Sequence, residues 1–181
     1  MKWILFLLVL NFFSCSQKEE KVSAAEIAQI KNEIFNRSEK HASDLEIMDY
    51  KSVMTFYANT EDFIVFGDGY YWGDYLTMDG IWKDILVGGW KKMLKWDLKN
   101  HKVNLFSKNA ASYLVEFDHE HLDDNGDTIR SSGCFTYGMQ KIDGEWKAVT
   151  VHVSHIPFRT NDDKWWSKYS PENRTNKRRY N

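Results

Sequence analysis

Cysteine is nearly absent from this sequence. The 181 residues hold two, Cys15 and Cys134, too few for a disulfide framework, so packing must supply the stability. No charge of either sign dominates: 24 basic against 26 acidic residues leave a formal net charge of −2, which gives a nucleic-acid partner no support. There is no internal repeat, no Gly/Ser-rich linker and no second long apolar run after the one at the N-terminus. That run, residues 3–13, is too short to cross a bilayer as a helix. What is plentiful is aromatic: 15% of the residues, eight of them Trp, which predicts a core or cavity walled by rings.

The start, Met1-Lys2 followed by the apolar run and then Ser14-Cys15, has the charge and length of a secretory signal. Ser14-Cys15 resembles the end of a bacterial lipoprotein signal, in which cleavage leaves a lipid-bearing Cys at the new N-terminus. The alternative is an ordinary signal peptide with an incidental Cys. With Cys15 acylated, no intramolecular disulfide remains. The polar stretch after it, Ser16-Gln17-Lys18-Glu19-Glu20-Lys21, reads as a tether and is similar to the acidic export signals of bacterial surface lipoproteins. The expected organisation is a signal peptide at 1–14, a lipidated tether at 15–22, one domain at 23–157 and a polar, basic tail at 158–181. The membrane partner is then reached through an N-terminal lipid anchor, in the cell envelope.

Within the domain, Ser23 and Glu26 form a capping box ahead of a helix over 23–41, whose apolar stripe is Ile27, Ile30, Ile34 and Phe35. A second helix is predicted over 44–58. A short strand at 61–66, a Gly67-Asp68-Gly69 turn and a returning strand at 70–72 follow. A third helix is predicted over 76–96, weakened at Gly88-Gly89 by about 2 kcal/mol relative to alanines. The rest alternates with period two: strands at 98–106, 111–122, 128–142 and 145–156, with turns at Ser107-Lys108-Asn109, Asn125-Gly126 and Asp143-Gly144. Helices first and an antiparallel, sequential sheet after is an α+β order.

This order of elements, and above all the closing Asp143-Gly144-Glu145-Trp146 followed by His152-Val153-Ser154 and Pro157, resembles the nuclear transport factor 2-like superfamily, also called SnoaL-like. The association domain of calmodulin-dependent kinases ends in a similar pattern, with a His where this chain has Thr150. The resemblance implies a cone-shaped fold, its N-terminal helices packed in a curved antiparallel sheet, with a pocket at the open end. Members include isomerases, dehydratases, hydrolases and binding or assembly modules, so the fold does not by itself give the function.

Two-residue turns at Asn125-Gly126 and Asp143-Gly144 place Tyr137 opposite Thr150, Phe135 opposite His152, Glu116 opposite Phe135 and Leu114 opposite Tyr137. One sheet face then gathers Glu116, Tyr137, Trp146, Thr150, His152 and Ser154. The acid–base candidates are His152, Glu116 and Tyr137. The ligand-binding candidates are Trp72, at a hairpin exit, with Tyr57, Thr150, Ser154 and Trp146. The other face gathers Val149, Val151, Val153 and His155 with Val115, Phe117, His119, His121, Cys134 and Thr136. His119 and His121 have a spacing that a metal can use, but near a turn among Asp118, Glu120, Asp123 and Asp124 they read as a solvated strand end. No metal or cofactor is expected, and Cys134 reads as a small buried residue.

Because both faces of the long strands carry apolar residues, a second subunit is the expected cover of the outer one, making a homodimer. The leading functional reading is an envelope lipoprotein that binds a small, partly apolar molecule in the cone. The rivals are a lyase, isomerase or hydrolase using His152 with Glu116 or Tyr137, and a structural dimerisation module. A buried polar pocket favours the enzyme; a closed, ring-filled cavity favours the module.

Overall fold

A computed structural model describes residues 22–156. The signal segment with Cys15, the tether up to Lys21 and the tail from Pro157 onward lie outside the described residues. Helix α1 spans Ala24–Glu46. The expected capping box starts it: the Glu26 N–H donates to Ser23 Oγ at 3.2 Å, and the Ser23 N–H donates to Glu26 Oε2 at 2.9 Å. The helix runs five residues past the expected 23–41, because Ala42 and Leu45 continue the buried stripe begun by Ile30 and Ile34. The second helix shrinks from 44–58 to α2, Tyr50–Met54. Met48, at φ +56°, breaks the chain between the two, and Asp49 caps the new start by accepting from the Ser52 N–H.

Strands β1 (Ile64–Gly67) and β2 (Tyr70–Gly73) form the expected hairpin. The third helix, expected over 76–96, is α3 at Tyr75–Lys83, continued by a π-helical segment at Asp84–Gly89. At Gly88-Gly89 helical conformation ends, Trp90 is extended, and residues 92–96 belong to strand β3, Lys92–Ser107. The apolar residues Met93 and Trp96 are spaced for a helix, yet a bulge between Met93 and Lys95 lets both be buried from a strand.

Strands β4 (Ala110–Leu122), β5 (Thr128–Ile142) and β6 (Glu145–Ile156) complete a sequential antiparallel meander. The six-stranded sheet runs β2-β1-β6-β5-β4-β3, and β1 joins β6 in parallel, Phe66 opposite His152. The sheet is curved and unclosed, and α1, α2 and α3 fill its inner face around a core that includes Ile34, Leu45, Val53, Phe56, Tyr113 and Val151.

Candidate functional site

The face that the sheet turns toward the helices is decided by two departures from two-residue turn arithmetic. Between β4 and β5 the loop has five residues, because Asp123 Oδ1 accepts from the N–H groups of Asn125 (2.9 Å) and Asp127 (2.8 Å) and pulls the loop into an Asx-type turn. Glu116 therefore lies opposite Cys134, and Tyr113 opposite Tyr137. Between β5 and β6, Asp143 and Gly144 do form the expected tight turn, both with positive φ. A bulge then leaves Val149 unpaired, so that Gly138, not Tyr137, faces Thr150. The bulge sits where the free edge of β6 changes partner: Ala148 exchanges backbone hydrogen bonds with Phe56 and Ala58, and Thr150–Val153 pair with β1. Trp146 and Ala148 therefore share the inner face with Val151, Val153 and His155, while Thr150, His152 and Ser154 point out.

The sequence-derived acid–base set is divided by this register. His152 is exposed on the outer face. Glu116 lies on that face too, accepting from Asn100 Nδ2 at 2.7 Å. Tyr137 is buried within, stacked between Tyr113 and Phe135 at 5.9 and 5.3 Å, and burial pushes its phenol well above the ordinary tyrosine range. Of the ligand-binding candidates, Trp72 alone lines the cavity described below. Tyr57 is one layer behind it, accepting from the Trp82 indole N–H at 3.0 Å. Trp146 is buried and donates to Glu33 Oε2 at 3.0 Å, and Thr150 and Ser154 are on the outer face. Cys134 is half-buried on the outer face.

The cavity has a volume of about 520 Å³. Trp72, Trp82, Trp90, Trp96, Phe117 and Phe135 make its walls, and its polar lining is His119, His121, Arg130, Ser131 and His155. His119 and His121 are not a solvated strand end: each is under 10% exposed. His121 stacks on Trp90 with centroids 3.9 Å apart, and His119 stacks on Trp96 at 5.0 Å. Burial lowers the pKa of His121 from its ordinary value. No cluster of three metal-ligating side chains occurs among the described residues.

His155 is held by Asp68, in the turn between β1 and β2. The Asp68 N–H donates to the Val153 carbonyl at 2.9 Å, and its carboxylate accepts from the His155 backbone N–H at 2.9 Å. The same carboxylate lies 2.9 and 3.0 Å from His155 Nδ1. A carboxylate accepts, so Nδ1 carries the proton and Nε2 is the basic nitrogen of the neutral ring. Asp68 is 4% exposed, and its backbone has φ +50°, a conformation that Asp tolerates better than most residues. A buried carboxylate that fixes an imidazole in one tautomer at the wall of an apolar cavity is the arrangement general-base chemistry requires. The sequence reads Asp68 as a turn residue and puts His155 on the sheet face opposite the acid–base candidates; only the pairing of β1 with β6 joins them.

No family model and no curated protein matches this chain. Solved structures do. A putative scytalone dehydratase from Novosphingobium aromaticivorans is 11% identical with a TM-score of 0.64, over 74% of this chain and 88% of that one. A nuclear transport factor 2-like superfamily protein from Salmonella enterica is 16% identical with a TM-score of 0.63, over 71% and 92%. A hexachlorocyclohexane dehydrochlorinase from Novosphingobium barchaimii is 10% identical with a TM-score of 0.60, over 74% and 90%. Likenesses this remote in sequence concern architecture, and with the strand order and the helix-filled inner face they lead to one statement: the chain has the nuclear transport factor 2-like, or SnoaL-like, fold.

Proposed function

We propose that the protein binds a small, partly apolar molecule in the cone and moves a proton on it, with His155 as general base and Asp68 as its positioning residue. The observation that carries this reading is the buried Asp68–His155 pair at the cavity wall. His155 Nε2 takes a proton from a carbon beside an electron-withdrawing group, and Asp68 stabilises the imidazolium that forms. The carbanionic electron pair then either expels a leaving group from the next carbon, giving a double bond, or is reprotonated elsewhere by the same imidazolium. The first outcome is a lyase reaction and the second an isomerisation. Two neighbours in fold are named as a dehydratase and a dehydrochlorinase, both eliminations, which is consistent with the first. General-base assistance of this kind contributes about 10²- to 10⁴-fold in rate.

The test is proton abstraction itself. In D₂O, wild-type protein is expected to speed deuterium entry at the α-carbons of 3-hydroxycyclohexanone, followed by NMR. Asp68→Asn slows the exchange and His155→Ala abolishes it. Wild-type exchange in His155→Ala would remove the base from this reading.

The outer sheet face supports a homodimer: Phe66 and Tyr71, in ring contact at 5.3 Å, are 40% and 50% exposed, and Leu114 adds to the apolar surface. A Phe66→Lys variant that sediments like the wild type would argue against it. The N-terminal segment is proposed as a lipid anchor through Cys15 in the cell envelope; incorporation of radiolabelled fatty acid, lost in Cys15→Ala, is the expected result.

A further inference from the structure

Helix α1 is laid lengthwise along the sheet, and its contacts give its direction. Near its start Glu26 meets Lys108 at 3.1 Å, in the turn between β3 and β4. Two turns on, Glu33 meets Lys141 at 2.8 Å, beside the β5–β6 turn. Ser38 then accepts from the Tyr113 hydroxyl at 2.8 Å, and Glu39 lies 3.4 Å from His101. At the other end Glu46 accepts from the Trp96 N–H at 3.2 Å, and just past it Met48 Sδ accepts from the Met93 N–H at 3.3 Å. The partners therefore pass in order from Lys108 through His101 to Trp96 and Met93. The helix starts at the end that carries the β3–β4 and β5–β6 turns, the base of the cone. It finishes where Trp90, Trp96, His121 and Ile156 line the cavity. The chain thus enters the domain at the base, and the cavity lies at the opposite end.

Length decides what this means for an anchored protein. From Cys15 to Ser23 there are eight residue steps, which span at most about 29 Å when fully extended. Helix α1, with 23 residues, is about 34 Å long, and the cavity lip lies at its far end. A mouth set flat on the bilayer would hold Ser23 at least that far above the surface, beyond the reach of the tether. The lip has apolar side chains for such a contact, Ile129 and Ile156 at 42% and 72% exposed, but the tether keeps them off. The base has an apolar side chain of its own. Phe106, two residues before Lys108, is 68% exposed. A single acyl anchor holds only marginally, and an aromatic at the headgroup level adds to it.

Resting on the lipid anchor proposed above, we infer that the domain stands on the bilayer by its base, with Phe106 in the headgroup layer and the cavity opening into water. The base is the interaction surface, and its partner is the lipid surface. The ligand of the cavity then arrives dissolved from the aqueous side and is not drawn out of the bilayer beneath.

The experiment is energy transfer to the membrane. Lipidated protein is reconstituted into phosphatidylethanolamine–phosphatidylglycerol vesicles that carry a rhodamine-labelled headgroup. In a Cys134→Ser background, with Cys15 held by its lipid, fluorescein is attached through Asn109→Cys, in the β3–β4 turn, or Asp124→Cys, in the β4–β5 turn; both positions are exposed. Transfer is expected to be severalfold more efficient from position 109 than from position 124. Phe106→Ser lowers transfer from position 109 while the protein stays bound. Equal transfer from the two positions, greater transfer from 124, or no effect of Phe106→Ser overturns the inference while the anchor stands. Protein that does not sediment with the vesicles overturns the anchor and this inference with it. Proton transfer is read separately, by deuterium exchange, and neither result depends on it.

Discussion

Mild acid is expected to loosen this fold through one residue, His41. It lies on the buried face of α1, its ring stacked on Phe56 at 4.2 Å and edge-on to Tyr57. The Trp82 indole can only donate, so the Tyr57 oxygen accepts from it at 3.0 Å and turns its own proton to His41 Nε2, 3.2 Å away. His41 therefore holds its proton on Nδ1, which has no partner among the described residues. A second proton, on Nε2, would set two donors against each other in a buried site already facing Arg37 and Lys40. Burial first, and those two cations after it, push the His41 pKa down to about 3 from the ordinary 6.5.

The unfolded chain takes up this proton near pH 6.5 and the folded chain does not until about pH 3. Stability from this group is thus full above pH 6.5 and falls as pH drops, with a slope approaching about 1.4 kcal/mol per pH unit. Between pH 7 and pH 5 the loss comes to about 2 kcal/mol. That window lies above the range in which carboxylates titrate. The assay is urea unfolding followed by tryptophan fluorescence at pH 7, 6 and 5, for wild type and His41→Gln. The glutamine carbonyl can still accept from Tyr57 and does not titrate. Wild type should lose about 2 kcal/mol more than the variant over that interval. His121, shifted in the same direction, is present in both and cancels. Parallel pH profiles would refute the argument, because they would mean that His41 protonates in the folded state without penalty.

Gly133 faces His155 across the β5–β6 ladder, and a Cβ there would stand 2.0 Å from the Ser154 carbonyl oxygen and 2.9 Å from Phe117. Gly133→Ala is expected to cost about 1–3 kcal/mol in chemical unfolding and to slow exchange by displacing His155. Glu33 accepts from Lys141 Nζ at 2.8 Å and from the Trp146 indole at 3.0 Å, and these bonds draw its pKa down to about 2. Glu33→Gln should lower stability at pH 7 by about 0.5–1 kcal/mol, since the site is partly exposed. That deficit should shrink as pH falls below 4.5 and vanish only below about pH 2, once the wild-type carboxyl is protonated as well.

What the sequence made legible was local. Ser23 and Glu26, three residues apart, form the box they predict, and Asp143-Gly144 makes the turn that its residue types demand. The α+β order followed from period and punctuation. Trp72, read as an aromatic beside a hairpin exit, lies in the cavity wall. The rest depended on distant partners. Whether residues 92–96 are helix or strand is decided by pairing with β4, 23 or more residues on, and not by their own spacing. The side chain of Asp123 outweighs the Asn125-Gly126 signal by a hydrogen-bond geometry that composition alone does not announce. Asp68 and His155 are 87 positions apart and meet because β1 lies parallel to β6. His119 and His121 were misread because their acidic neighbours suggested water, whereas Trp90 and Trp96 close over them.

The unpaired Val149 acts as a parity bit. Before it, even-numbered positions of β6 belong to the interior; after it, odd-numbered ones do. Strand β6 therefore encodes two complete interiors, one with His152 flanked by hydroxyls and one with His155 flanked by valines, and a single residue selects between them. Pairing Val149 with Gly138, so that Thr150 faces Tyr137, would exchange them, bringing Thr150, His152 and Ser154 inside and evicting Val151, Val153 and His155, whereas excising Val149 would only close the bulge and leave the faces as they are. In this fold a one-residue slip of β6 is a larger chemical change than any substitution, and the site can be rewritten by register as readily as by composition.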